Sequence, residues 1–205
     1  KLHNYSRALA IYTRHFGSEA LPLLLKAVEN SDKAFRYSAL NLAEKMDDVA
    51  ATRRWIAKAG TVSDEIKAEI IDMLGRKGDL LAADFIAENL NSASPAVRGE
   101  SVNALAQLRG TKAVPALIEH LSKGQDIDAT KTALLQLLDQ AHLASVAAQI
   151  DKTSGKTKAA FVGLIAAKSG TEYFDKISQV FIDELIIESE ILTKSEMPML
   201  LLNLS

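Results

Sequence analysis

Between Ser94 and Leu121 the apolar residues fall into two stripes at helical spacing. Val97, Ser101, Val102, Ala104, Leu105 and Leu108 form the first, with Arg98, Glu100, Asn103 and Gln107 between them. Ser94 is placed to cap this helix with its side-chain oxygen, and Pro95 fits the first turn, where no amide is needed. Gly110 supplies the stop, and Ala113, Val114, Leu117, Ile118 and Leu121 form a second stripe with Pro115 in its first turn. The stretch therefore predicts an antiparallel helical hairpin, a first helix A and a second helix B.

A hairpin of this size cannot bury both stripes alone, so it needs neighbours of its own kind. Shifted back by 31, Val97-Arg98 becomes Ile66-Lys67; shifted again, it becomes Phe35-Arg36. One helix-B column reads Leu24, Trp55, Ile86, Leu117, Val146, Ile177, and another reads Val28, Ala59, Leu90, Leu121, Ile150, Phe181. The pattern predicts an all-α stack of about six antiparallel helix pairs, roughly 1–30, 31–60, 62–91, 94–123, 126–151 and 156–182, with a C-terminal helical pair at 183–205. Alternating strand patterns and Asn-Gly or Asp-Gly hairpins are absent.

Within the units, Ala8, Leu9, Ile11 and Tyr12 are expected to point inward, Asp32 to cap the second unit, and Gly75 to Asp79 to form a turn closing the third helix A. The fifth unit has Asp139-Gln140 where a glycine is expected, and the period shortens to 29, which predicts a local irregularity. The apolar end, Met199 to Leu204, has nothing after it to bury it and Lys1 is not a methionine, so the chain is expected to be a piece of a longer protein.

Composition narrows the function classes. The formal net charge is −2, with 14 basic and 14 acidic residues in positions 1–102 and 10 and 12 in the rest. A dedicated nucleic-acid binder ordinarily carries a basic surplus. Cysteine is absent, which excludes disulfides, thiol catalysis and zinc sites built on cysteine. His3, His15, His120 and His142 show no metal-ligand spacing, and no catalytic constellation or glycine-rich phosphate loop is present, so neither an enzyme nor a cofactor is expected. No apolar run is long enough to span a bilayer. The compartment is left open, cytoplasmic or exported.

The motifs Ser94-Pro95-Ala96-Val97-Arg98, Ala104-Leu105-Ala106-Gln107-Leu108 and Lys112-Ala113-Val114-Pro115-Ala116-Leu117 closely resemble the HEAT repeat, in its short bacterial form also called PBS-lyase-like. The resemblance implies a right-handed α-solenoid with A helices on the convex side and B helices lining a concave surface. It implies a protein-interaction or scaffold module. Its alternative is an accessory domain of a secreted carbohydrate-active enzyme, with a nucleic-acid binder the less favoured third. It also implies that Arg98 and its column mates Arg36, Lys67 and Lys158 form a structural ladder on preceding-loop carbonyls and acidic groups rather than a phosphate track; Asp32 and Asp64 sit just ahead of two of them.

Trp55, beside Arg53 and Arg54, could stack a base, but its column is a core column. The outward columns of the B helices read Leu23, Arg54, Phe85, Ala116, Ser145, Lys176 and Lys26, Ala57, Glu88, Glu119, Ala148, Gln179, flanked by Lys58, Asn89 and His120. From this mixed surface the candidate contacts for a protein partner, or for a neighbouring domain of the same chain, are Arg53, Arg54, Lys58, Phe85, Glu88, Glu119 and His120.

Overall fold

The computed structural model describes residues 2–46, 48–173, 175–180 and 182, and every regular element among them is helical. The A helices are α1 (Leu2–Phe16), α3 (Lys33–Glu44), α5 (Asp64–Lys77), α7 (Pro95–Arg109), α9 (Ile127–Leu137) and α11 (Gly155–Lys168). Between them run the B helices α2 (Leu21–Ala27), α4 (Val49–Ala59), α6 (Ala83–Asn89), α8 (Val114–Ser122) and α10 (Leu143–Ile150). Residues 175–180 are also helical. The expected C-terminal pair, the apolar segment Met199 to Leu204 and Phe181 lie outside the described residues.

Each A helix packs on the next, α1 on α3, α3 on α5, α5 on α7, α7 on α9 and α9 on α11, while each B helix packs on the A helix that follows it. This one-dimensional contact pattern is an all-α solenoid. The core runs along it as a ribbon. Leu24, Trp55, Ile86, Leu117 and Val146 are all fully buried, and Val28, Ala59, Leu90, Leu121 and Ile150 are buried beside them.

Local chemistry sets the helix ends. The A-to-B corner recurs at Gly17, Asp48, Asp79, Gly110 and Asp139, and two solutions are used there. Gly17 and Gly110 take φ of +55° and +54°, the left-handed half of the map that costs glycine nothing. At the other three corners an aspartate sits in extended backbone and its carboxylate accepts from the amide two residues on: Asp48 from Ala50, Asp79 from Leu81, Asp139 from Ala141. The missing glycine of the fifth unit is thus replaced by a capping side chain. The shorter period is absorbed by α9, 11 residues long against 15 for α7.

Several expectations are corrected. Helix α5 continues to Lys77, so Gly75 is not a turn residue. It is buried in the helix, and a Cβ there would lie 2.6 Å from Ala104 Cβ. Ser94 occupies the N-cap of α7, yet its hydroxyl makes no capping bond. Asp32 caps α3 by accepting from the Phe35 amide at 2.8 Å and does not pair with the Arg36 guanidinium. Among the α1 residues whose burial is described only Leu9 is buried; Ala8, Ile11 and Tyr12 are exposed, because no described residue covers that side of the helix.

Candidate protein-binding face

The B helices bring the predicted contact residues to different environments. Arg53 and Arg54 are exposed on α4, Glu88 is exposed on α6 and Glu119 on α8. Lys58 is half-buried and paired with Glu29 from the preceding unit. Phe85 is half-buried against the core, with Lys67 Nζ of α5 6.0 Å from its ring centroid.

His120 is the correction. Its side chain is only 1% exposed and turns away from solvent toward the loop that leads into α9. Its Nε2 lies 3.1 Å from Asp126 Oδ2. A carboxylate can only accept, so Nε2 carries the proton, and Nδ1 is left buried without a hydrogen-bond partner. Burial first, offset in part by Asp126, holds the imidazole below its ordinary pKa. His120 is a structural residue.

The remaining polar interior is occupied the same way. Arg36 is almost wholly buried in α3. Its Nη1 donates to the carbonyls of Asn30 (3.0 Å) and Ser31 (3.3 Å), its Nε to Glu69 Oε2 (2.8 Å), and its Nη2 to Glu69 Oε1 (2.8 Å) and Glu65 Oε1 (2.7 Å). The bidentate bond to Glu69, against the cost of burial, raises its already high pKa further. Arg98 repeats the arrangement two units later. Nη1 donates to the carbonyls of Ser92 (3.0 Å) and Ala93 (3.2 Å), and Nε to Asp126 Oδ2 (2.6 Å). Both arginines thus tie their preceding loop to the start of the next A helix.

These partners were missed because they lie 28 to 33 residues away. Among the described residues Asp126 is the one non-glycine residue with positive φ, at +47°. A further inter-unit bond joins Thr52, fully buried on α4, to Asp79 Oδ2 at 2.6 Å. That hydroxyl, with the Leu81 amide, holds the Asp79 carboxyl below the usual range.

With the polar interior occupied, the exposed B-helix face carries a change of sign. Arg53 and Arg54 of α4, with Lys26 of α2, form its basic end; Asp84 and Glu88 of α6 and Glu119 of α8 form its acidic end. Asp84 is bonded to Arg109 and Glu119 to Lys123. Arg53, Arg54, Lys26 and Glu88 form no ion pair among the described residues. Trp55, adjacent in sequence, is fully buried between the helices and offers no stacking surface. Clefts are found elsewhere, as in a cavity of about 540 Å³ between α1 and α3 lined by Arg14, Leu42, Lys45 and Met46.

Residues 52–139 match the family model described as HEAT repeats. Across that stretch the chain is similar to HEAT repeats. The matched region spans α4 to the corner after α9, the stretch that holds the Arg98–Asp126–His120 cluster and most of the B-helix face. No curated protein matches the chain. HEAT repeats are generally protein-interaction or scaffold modules, and the fold is typically non-catalytic. Among the described residues, no group of three or more His, Asp or Glu side chains is placed to hold a metal ion, and no helix is long and apolar enough to cross a membrane.

Proposed function

We propose that this HEAT-repeat chain is a non-catalytic scaffold that holds a partner protein, or a neighbouring domain of its own polypeptide, along the B-helix face. The observation that carries the reading is the division of polar groups. Buried Arg36, His120 and Thr52 and half-buried Arg98 are bonded between units, whereas Arg53, Arg54 and Glu88 stand exposed without ion pairs among the described residues. Complementary charge across an interface selects and orients a partner. The partner that fits is acidic where it meets α4 and basic where it meets α6 and α8. Capture with the array as bait, followed by titration of the purified partner against Arg53→Glu/Arg54→Glu and Glu88→Lys/Glu119→Lys arrays, tests it. Loss of binding in both arrays supports the reading, and unchanged affinity in both refutes it.

A further inference from the structure

Helices α9 and α11 meet beside a cavity of about 520 Å³, to which each contributes a lysine, Lys131 from α9 and Lys156 from α11. Lys131 is half-buried, and its Nζ reaches across to α11, where it lies 3.1 Å from the position that a Cβ on Gly163 would take. Two other half-buried lysines of the A helices have their charge engaged, Lys67 over the Phe85 ring and Lys77 on the Met46 carbonyl. Lys131 and Lys156 form no side-chain hydrogen bond or ion pair among the described residues.

A third donor stands beside them. Thr157, next to Lys156 in the first turn of α11, is only 9% exposed. Thr130 and Thr132 of α9 return their hydroxyls to the carbonyls four residues earlier, at 2.9 and 2.8 Å. The Thr157 hydroxyl makes no such bond and has no partner among the described residues. Its Oγ1 lies against Gly124, 3.1 Å from where a Cβ there would stand, and Gly124 lines the cavity. The opposing charge is Asp128 of α9, exposed on the same cavity and paired with neither lysine. Ile127 and Ala159 supply apolar wall.

A buried hydroxyl and a half-buried ammonium without partners carry a desolvation cost that an anion in the cavity would offset. The donors and the charge select which anion. Two cations against one carboxylate leave the cavity positive, and three donors match the three terminal oxygens of a phosphate monoester, which brings a charge of about −1.5 to −2 at neutral pH. A carboxylate brings one charge and two oxygens. We propose that the cavity between α9 and α11 binds a phosphate monoester, whose oxygens accept from Lys131 Nζ, Lys156 Nζ and Thr157 Oγ1 and whose carbon body rests on Ile127 and Ala159. The site lies between successive A helices and is independent of the partner that the B-helix face holds.

The probes are inorganic phosphate and phenyl phosphate, titrated at constant ionic strength into the 15N-labelled 205-residue chain while amide shifts are followed. Saturable shifts are expected at Lys131, Lys156, Thr157 and Gly163. Lys131→Gln and Lys156→Gln should each weaken binding about fivefold or more, Lys131→Arg should retain it, and Thr157→Val should weaken it about threefold. Asp128→Asn should tighten it about twofold, because the one opposing charge is removed. Unfolding midpoints of the variants, and their amide spectra away from the cavity, separate lost binding from lost fold. Tighter binding of phenyl phosphate than of inorganic phosphate supports a monoester with its body on Ile127 and Ala159, and equal binding overturns that part in favour of free phosphate. Absence of a saturable shift, shifts that persist in the Lys131→Gln/Lys156→Gln chain, or acetate binding as tightly as phosphate at the same amides overturns the site.

Discussion

Gly75 and Ala104 bring α5 and α7 together so closely that the space for one methyl group is shared between them: a Cβ on Gly75 would lie 2.6 Å from Ala104 Cβ and 2.7 Å from its Cα. The glycine is mid-helix, where alanine is ordinarily better by up to about 1 kcal/mol. Steric overlap reverses that preference. Gly75→Ala should destabilise the protein by about 1–3 kcal/mol, the range for overpacking a core. The exchanged pair Gly75→Ala/Ala104→Gly should recover much of the loss, as measured by urea unfolding. A stabilised single variant would contradict the close approach.

Arg36 and Glu69 form a two-pronged buried bond between successive A helices. Removing one partner leaves the other charge buried without compensation, at a cost of about 3–5 kcal/mol. Arg36→Ala and Glu69→Ala should therefore each be strongly destabilising, and the double variant should cost less than the sum. The coupling is read from a double-mutant cycle. Additive losses would mean that the two charges do not depend on one another.

Acid should loosen the junction between α8 and α9. The folded pKa of His120 lies below the value of 6.5 that the unfolded chain approaches, so the unfolded chain binds more protons as the pH falls. Stability contributed by the neutral imidazole is complete above 6.5 and declines as the pH drops from there through the lower folded value. The groups facing the ring are Asp126, Lys123 and Arg98; the carboxylate opposes the shift and the two cations add to it. His120→Gln, which retains a donor toward Asp126 and cannot titrate in this range, should flatten the stability profile between pH 7 and 5 (about the window set by a histidine). An unaltered slope in the variant would remove His120 as the cause.

Trp55 is fully buried and its Nε1 has no hydrogen-bond partner among the described residues. Emission from this sole tryptophan should be blue-shifted, shielded from acrylamide, and red-shifted on unfolding. Trp55→Phe removes the orphan donor, worth about 1–3 kcal/mol, while giving up ring contacts of similar value. The net change in stability should be small. A large loss would show that the indole N–H is bonded in solution.

The solenoid was legible in the sequence because its core is local and periodic. Leu24, Trp55, Ile86 and Leu117 could be aligned by a shift of 31 and are all interior. The ladder was only half legible. Arg36 and Arg98 were visible as a column, but the identity of Glu69 and Asp126 as acceptors is set by how one helix packs on the next, which no local spacing encodes. His120 was misplaced for a related reason. Its column holds Lys58, bonded back to Glu29 of the preceding unit, and Asn89, which donates to the Phe85 carbonyl of its own helix, so this edge of the B helices is bonded within the protein more than it is given to the solvent. Ile11 and Tyr12 were misplaced because periodicity assigns them to a core whose other wall the described chain does not supply.

On the proposed scaffold function, the exposed B-helix face, and not the polar interior, does the binding. Hydrogen–deuterium exchange of the array, alone and saturated with the purified captured partner, tests it most directly. Protection is predicted in peptides covering α4, α6 and α8 around Arg53, Arg54, Glu88 and Glu119, with the A helices α3, α5 and α7 unchanged. Protection confined to the A helices, with α4, α6 and α8 exchanging as in the free array, would contradict it.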